Sequence, residues 1–184
     1  MLGKIAIAAL IAPFSAGYSA AAVAQTQPAP KSVCLTDSGF RAFDFWLGEW
    51  DVTVRKGGKF AGTNSITSIE SGCALLEQRK GASGSTGMST NHYNPVTKKW
   101  RQLWLSAGAY EIDIQGGLKG GSMALEGTIV YYATGKSFDF NGTWTPEDGG
   151  TVRQHFKQYD PAKKEWVTWF DATYTPSAKK MVSE

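Results

Sequence analysis

Phe43-Asp44-Phe45-Trp46-Leu47-Gly48-Glu49-Trp50-Asp51-Val52-Thr53-Val54 changes its period in the middle. Up to Leu47, the residues Phe40, Phe43, Trp46 and Leu47 recur at the spacing of one helix face. After Gly48, Trp50, Val52 and Val54 alternate with Asp51, Thr53 and Arg55, so an extended strand carries one apolar face. The stretch predicts a short helical turn, capped by Asp37 or Ser38, that runs into a half-buried strand. Lys56-Gly57-Gly58-Lys59 then supplies a hairpin turn.

The same alternation continues downstream. Strands are predicted at about 60–69, 73–80, 87–93, 99–106, 109–115, 122–131, 137–144, 151–159 and 165–174. Gly, Pro, Asn and Asp cluster between them, and beyond the N-terminal turn no window sustains a helical period. Such a series predicts an all-β chain: a single antiparallel up-and-down β-barrel of about ten strands with a short N-terminal helical turn. Closure would remove the exposed strand edges. A two-sheet sandwich is the alternative architecture.

Composition fits one domain. The chain has 184 residues, 42% hydrophobic and 19% charged, enough apolar material for a core. A net charge of +3 is too small and too scattered for a nucleic-acid surface. Coiled-coil, collagen-like and polytopic membrane classes are excluded.

Met1 to Ala24 reads as a secretory signal peptide. Lys4 is its positive start, Ile5 to Phe14 its apolar run, and Ala22-Val23-Ala24 the small-residue site for cleavage before Gln25. Pro13 and Gly17 interrupt the run, which is short for a membrane span, and no later segment resembles one. The predicted organisation is a signal peptide at 1–24, a flexible segment at 25–36, a barrel domain at 37–178 and a tail at 179–184. The expected location is periplasmic or secreted. In an oxidising compartment Cys34 and Cys73 are expected to form a disulfide, worth roughly 4 kcal/mol for a loop of that length.

Two hairpins share a recipe. Tyr93-Asn94-Pro95-Val96-Thr97-Lys98-Lys99-Trp100 matches Tyr159-Asp160-Pro161-Ala162-Lys163-Lys164-Glu165-Trp166. Asn or Asp starts each turn, Pro fixes the next φ, and Tyr and Trp are placed to pair across the strands.

Gly48-x-Trp50 at the start of the first strand resembles the opening of the calycin superfamily of lipocalins, fatty-acid-binding proteins and nitrobindin-like barrels. A longer pattern joins Phe45-Trp46-x-Gly48-x-Trp50 to Gly72-Cys73-Ala74-Leu75-Leu76-Glu77, Tyr93-Asn94-Pro95, Lys99-Trp100-Arg101-Gln102 and Trp104. It continues through Leu125-Glu126-Gly127, Thr143-Trp144-Thr145-Pro146 and Val152-Arg153-Gln154. This resembles the DUF1579-like group of exported bacterial proteins of unknown function. The resemblance implies a calycin fold and export. It also implies that Gly48 and Trp50 close the barrel, with Arg153 covering the Trp50 indole.

Candidate site residues come from the strand phases. Trp100, Gln102 and Trp104 share one face, as do Val152, Gln154 and Phe156. With Trp50 inward, Gln102, Trp104, Gln154 and Phe156 would line a lumen suited to a small apolar or aromatic molecule. Alternatively, Gln102 and Gln154 hydrogen-bond each other or backbone. Glu77 and Glu126 each follow apolar residues, and either is an acid–base candidate or the partner of Arg101 or Arg153. Asp171 is a third carboxylate of this kind. His155 is the other catalytic candidate. No metal site is expected, because two Cys and two His show no ligand spacing. No cofactor is expected either: His155 lies in a late strand, but the N-terminal Gly-rich pattern of nitrobindin-like haem barrels is missing.

Three functions remain open: a lipocalin-like binding protein, a cofactor-free isomerase, hydratase or hydrolase using the same lumen, or an envelope interaction protein without a ligand. Ligand identity and oligomeric state are not legible.

Overall fold

The computed structural model describes residues 32–178. The signal peptide read at 1–24, the segment up to residue 31 and the tail at 179–184 lie outside the described residues.

Ten strands follow one another around a closed barrel. They are β1 (Gly48–Val54), β2 (Phe60–Ile69), β3 (Ala74–Gly81), β4 (Thr86–Asn94) and β5 (Lys99–Ser106), then β6 (Tyr110–Lys119), β7 (Ser122–Tyr131), β8 (Lys136–Glu147), β9 (Thr151–Asp160) and β10 (Glu165–Pro176). Each runs antiparallel to the next, and β10 pairs with β1 from Trp50 opposite Pro176 to Val54 opposite Ala172. No strand keeps a free edge, which decides for the barrel over the sandwich. β6 outruns its predicted span because Gly116 and Gly117 stay in the ladder. A Cβ at Gly116 would collide with the Ala124 carbonyl on β7, so the glycine permits a close strand approach there.

The helical turn is where the period predicts it. α1 (Ser38–Arg41) is capped by Asp37, whose carboxylate accepts the Gly39 N–H at 2.7 Å, and a 3-10 turn follows at Asp44–Trp46. Gly48 has φ +139, a conformation that side chains resist, and the chain bends there into β1. The turn plugs one end of the barrel, here called the base. Phe43 and Trp46 are fully buried. Phe43 stacks on Trp46 at 5.0 Å and meets Trp100 and Trp144 edge-on at 5.6 and 5.3 Å. The Trp100 indole donates to the Gly39 carbonyl at 3.0 Å, pinning the plug to β5.

Cys34, in a 3-10 turn at Val33–Leu35, is disulfide-bonded to Cys73 across 39 residues of sequence. The bond ties the segment before the plug to the chain just ahead of β3. Such bonds form and persist in oxidising compartments. Among the described residues, no helix is long and apolar enough to cross a membrane.

The two echoed hairpins form the same turn. Asn94 Oδ1 accepts the N–H groups of Val96 and Thr97, and Asp160 Oδ1 those of Ala162 and Lys163. Lys98 and Lys164 take the left-handed conformation at φ 55 and 54. Tyr93 faces Trp100 at 6.1 Å, and Tyr159 faces Trp166 at 5.6 Å.

Candidate functional site

Alternation sends every second side chain inward, and on six strands the inward set includes polar groups that meet in one hydrogen-bond network. These are Asn64 on β2, Glu77 on β3, Ser89 and Asn91 on β4, Gln102 on β5, Gln154 on β9 and Tyr174 on β10. All are at most 4% exposed. On β6, β7 and β8 the buried inward residues are apolar, among them Ile112, Ile114, Leu125, Ile129 and Phe140. The lumen thus has a polar arc and an apolar arc.

Buried polar groups are costly unless bonded, and these bond one another. The Asn64 amide donates to Glu77 Oε1 and to the Tyr174 hydroxyl, both at 2.8 Å. Tyr174 donates onward to Gln154 Oε1 at 2.6 Å. Ser89 donates to Glu77 Oε2 at 2.6 Å and accepts from Asn91 at 2.8 Å and from Gln102 at 3.3 Å. The Gln102 amide also donates to Asn91 Oδ1 at 3.0 Å. With the Ser89 lone pairs taken by two N–H donors, its one proton is left for Glu77. Both Glu77 oxygens therefore act as acceptors.

Burial pushes the Glu77 carboxyl up to about 7, against the opposing pull of the Ser89 and Asn64 hydrogen bonds and the Arg79 charge. Burial likewise holds the Tyr174 phenol well above its ordinary value. Arg79, two residues along β3, donates to the Ala61 carbonyl at 3.1 Å. Among the described residues it has no carboxylate within salt-bridge distance.

Above this network lies a cavity of about 90 Å³. Glu77, Gln102, Gln154 and Tyr174 form its floor, and Trp104, Ile112 and Phe156 its walls. Arg79, Tyr110, Trp169 and Phe170 stand at the open end of the barrel, the mouth. A register shift in β10 between Thr168 and Phe170 produces the last pair: Trp169 is the extra residue against β9, so two consecutive aromatics reach the cavity. Trp169 is held by Tyr110 at 5.3 Å, by Phe140 at 5.5 Å, and by its indole donating to Tyr131 at 2.9 Å.

The structure brings five of the nine sequence-read candidates together: Glu77, Gln102, Trp104, Gln154 and Phe156 all line this cavity, whereas Trp50, Glu126, His155 and Asp171 do not. Trp50 is inward but belongs to the base; its indole donates to the Trp46 carbonyl at 2.9 Å and its ring meets Tyr174. His155 alternates out of phase with Gln154 and Phe156, stands on the outer face and bonds Thr168 at 3.0 Å. It shares no cavity with Glu77. Gln102 and Gln154 join one network without bonding each other.

The expected arginine pairings are corrected. Arg101 forms a two-point bond with Asp113, and Arg153 with Asp171, both on the outer face. Glu77 and Glu126 pair with neither, and Arg153 does not cover the Trp50 indole. The cause is strand phase: Arg101 and Arg153 alternate with Gln102 and Gln154, so the arginines point out where the glutamines point in.

Asn64, Ser89, Asn91, Tyr174, Arg79, Tyr110 and Trp169 were not singled out from sequence. The adjacent aromatics Trp169-Phe170 were the available signal for a bulge. Among the described residues, no three of His, Cys, Asp and Glu converge as a metal-ligating group. In comparison with known proteins, no family model matches the chain and no curated sequence is significantly similar.

Proposed function

We propose that this is an exported, lipocalin-like protein of the DUF1579-like calycin type that binds a small apolar or aromatic molecule in the mouth half of its barrel. The observation that carries the reading is the cavity itself: aromatic walls over a bonded polar floor, a composition typical of small-molecule sites. Its volume is well below the roughly 300–1,000 Å³ of drug-sized pockets, so the ligand is small. The Cys34–Cys73 disulfide supports export to the periplasm or beyond. Native mass spectrometry of the protein purified from periplasmic expression tests the reading. A small-molecule adduct lost on denaturation is the expected result; a bare mass from several expression hosts counts against tight binding.

One observation favours a second reading, a cofactor-free enzyme in the same cavity. Glu77 is buried, lines the cavity and titrates near neutrality, as a general acid or base requires. Under this reading Glu77→Gln abolishes turnover of any substrate found while leaving its binding intact. Unchanged turnover would remove Glu77 from the chemistry.

A further inference from the structure

The hydrogen bonds of the floor are directional, and counting them shows what the cavity lacks. Both hydrogens of the Asn64 amide are used, on Glu77 and Tyr174. So are both hydrogens of the Gln102 amide, on Ser89 and Asn91. Ser89 and Tyr174 have spent their single protons on Glu77 and Gln154. On the acceptor side, Asn64 Oδ1 and Gln102 Oε1 are both buried without a partner, and of the two residues only Gln102 lines the cavity. Each Glu77 oxygen accepts only one bond where a carboxylate oxygen has room for more. On the floor one donor remains: Gln154 lines the cavity, its Oε1 is engaged by Tyr174, and among the described residues its amide nitrogen has no partner. In the wall above it the Trp104 indole N–H is a second donor, buried without a partner.

A buried acceptor left unpaired is expensive, so a guest that supplies the missing proton gains more than burial alone offers. The guest's head group must donate toward Gln102 and Glu77 and accept from Gln154. A small organic cation would satisfy the acceptors and attract the Glu77 carboxylate, but an ammonium head cannot accept from the Gln154 amide and must pass Arg79, which lines the same cavity. A neutral head is therefore favoured, and a hydroxyl is the smallest neutral group that both donates and accepts. The body of the guest is set by Trp104, Phe156 and Trp169, whose ring faces and edges suit another ring. Size allows only one, because about 90 Å³ is less than the roughly 150 Å³ of an engineered cavity that takes benzene. Such a ring would lie with its outer edge in the mouth.

From this census we propose that the cavity selects a single-ring aromatic carrying a neutral hydroxyl, with the hydroxyl pointing down to Gln102 and Gln154. The proposal rests on the binding reading above and names its ligand class.

The test uses four probes of similar size on the intact disulfide-bonded protein: phenol, toluene, anisole and protonated benzylamine. Affinity is read by two-dimensional NMR, with the Trp104 and Trp169 indole N–H signals as reporters of the cavity. Phenol is expected to bind at least tenfold more tightly than toluene, its isostere, and than anisole, which accepts but does not donate. Benzylammonium is expected not to bind. Burial alone predicts the reverse order, since toluene is the more hydrophobic of the isosteres. Toluene or anisole equal to phenol, or benzylammonium the tightest, overturns the proposal and leaves the binding reading standing. No shift with any probe up to its solubility limit overturns the proposal, and together with a bare native mass it removes the binding reading too. Gln102→Leu, if its spectrum shows a native fold, should bring phenol down to the level of toluene; a preserved tenfold preference would exclude Gln102 as the reader of the hydroxyl.

Discussion

At the base of the barrel Trp46, Trp100 and Trp144 are packed solid around Phe43; at the mouth Trp104, Trp169 and Phe156 surround open space. Both ends use the same kinds of side chain. They differ in what enters from outside the strands. The base receives the helical turn, which inserts two complete aromatic side chains and is fastened by the indole of Trp100. The mouth is narrowed by a β10 bulge that turns in Trp169 beside Phe170. The paired hairpins make the same point: Trp100, in the copy under the plug, is 2% exposed, and Trp166, in the copy at the mouth, is 44% exposed. A barrel of this girth stays hollow where no segment is spent on filling it.

The sharpest way to break the contrast is to empty the base. Trp46→Ala should cost about 3–5 kcal/mol in urea unfolding, the range for a large buried aromatic. Trp169→Ala, at the partly open mouth, should cost about 1–2 kcal/mol. Equal losses would mean that the two ends are packed alike. Next comes the covalent tie of the base: Cys34→Ser with Cys73→Ser should lower stability by about 2–4 kcal/mol and leave probe binding at the mouth unchanged.

Glu77 links the contrast to pH. Its folded-state value, about 7, lies above the ordinary 4.5, so the folded chain holds the proton more tightly than the unfolded chain. Its contribution to stability is then fully present below pH 4.5 and lost as pH rises to 7, by up to about 3 kcal/mol. His155, held below its ordinary value by burial, acts in the opposite direction at the acid end. Denaturation of wild type and Glu77→Gln between pH 5 and pH 8 isolates the Glu77 share, and the wild type should lose ground to the variant as pH rises. A constant difference would show that Glu77 does not titrate in this window. The smallest effect is expected at the exposed hairpin: Trp166→Ala should change stability by less than about 1 kcal/mol, against several for Trp100→Ala.

The architecture was legible because it depends on alternation and turn chemistry, which are local. The spans read at 60–69, 99–106 and 122–131 coincide with β2, β5 and β7. The apolar half of the site was legible for the same reason: Trp104 and Phe156 stand in phase with other large residues. The polar half was not. Asn64, Ser89 and Asn91 occupy inward positions, yet in an alternating strand a polar residue ordinarily marks the solvent side, and only the partner strands reveal the phase. Glu77 was visible because it follows the apolar run Ala74-Leu75-Leu76. Arg153 went wrong through the resemblance, which assigns a role to a position without fixing the face on which that position falls. The β10 shift left only the adjacent aromatics Trp169-Phe170 as a sign, because one extra residue leaves composition and spacing almost unchanged on both sides of it.

The division of the lumen into a polar arc and an apolar arc has a consequence for any guest. A molecule inside a uniformly greasy tube can spin and invert freely; here the floor of the cavity offers hydrogen bonds and its walls mainly shape. A guest bound as proposed would be anchored by one end. Where it carried a stereocentre, its mirror-image forms would present different groups to the same walls, and the barrel would tell left from right.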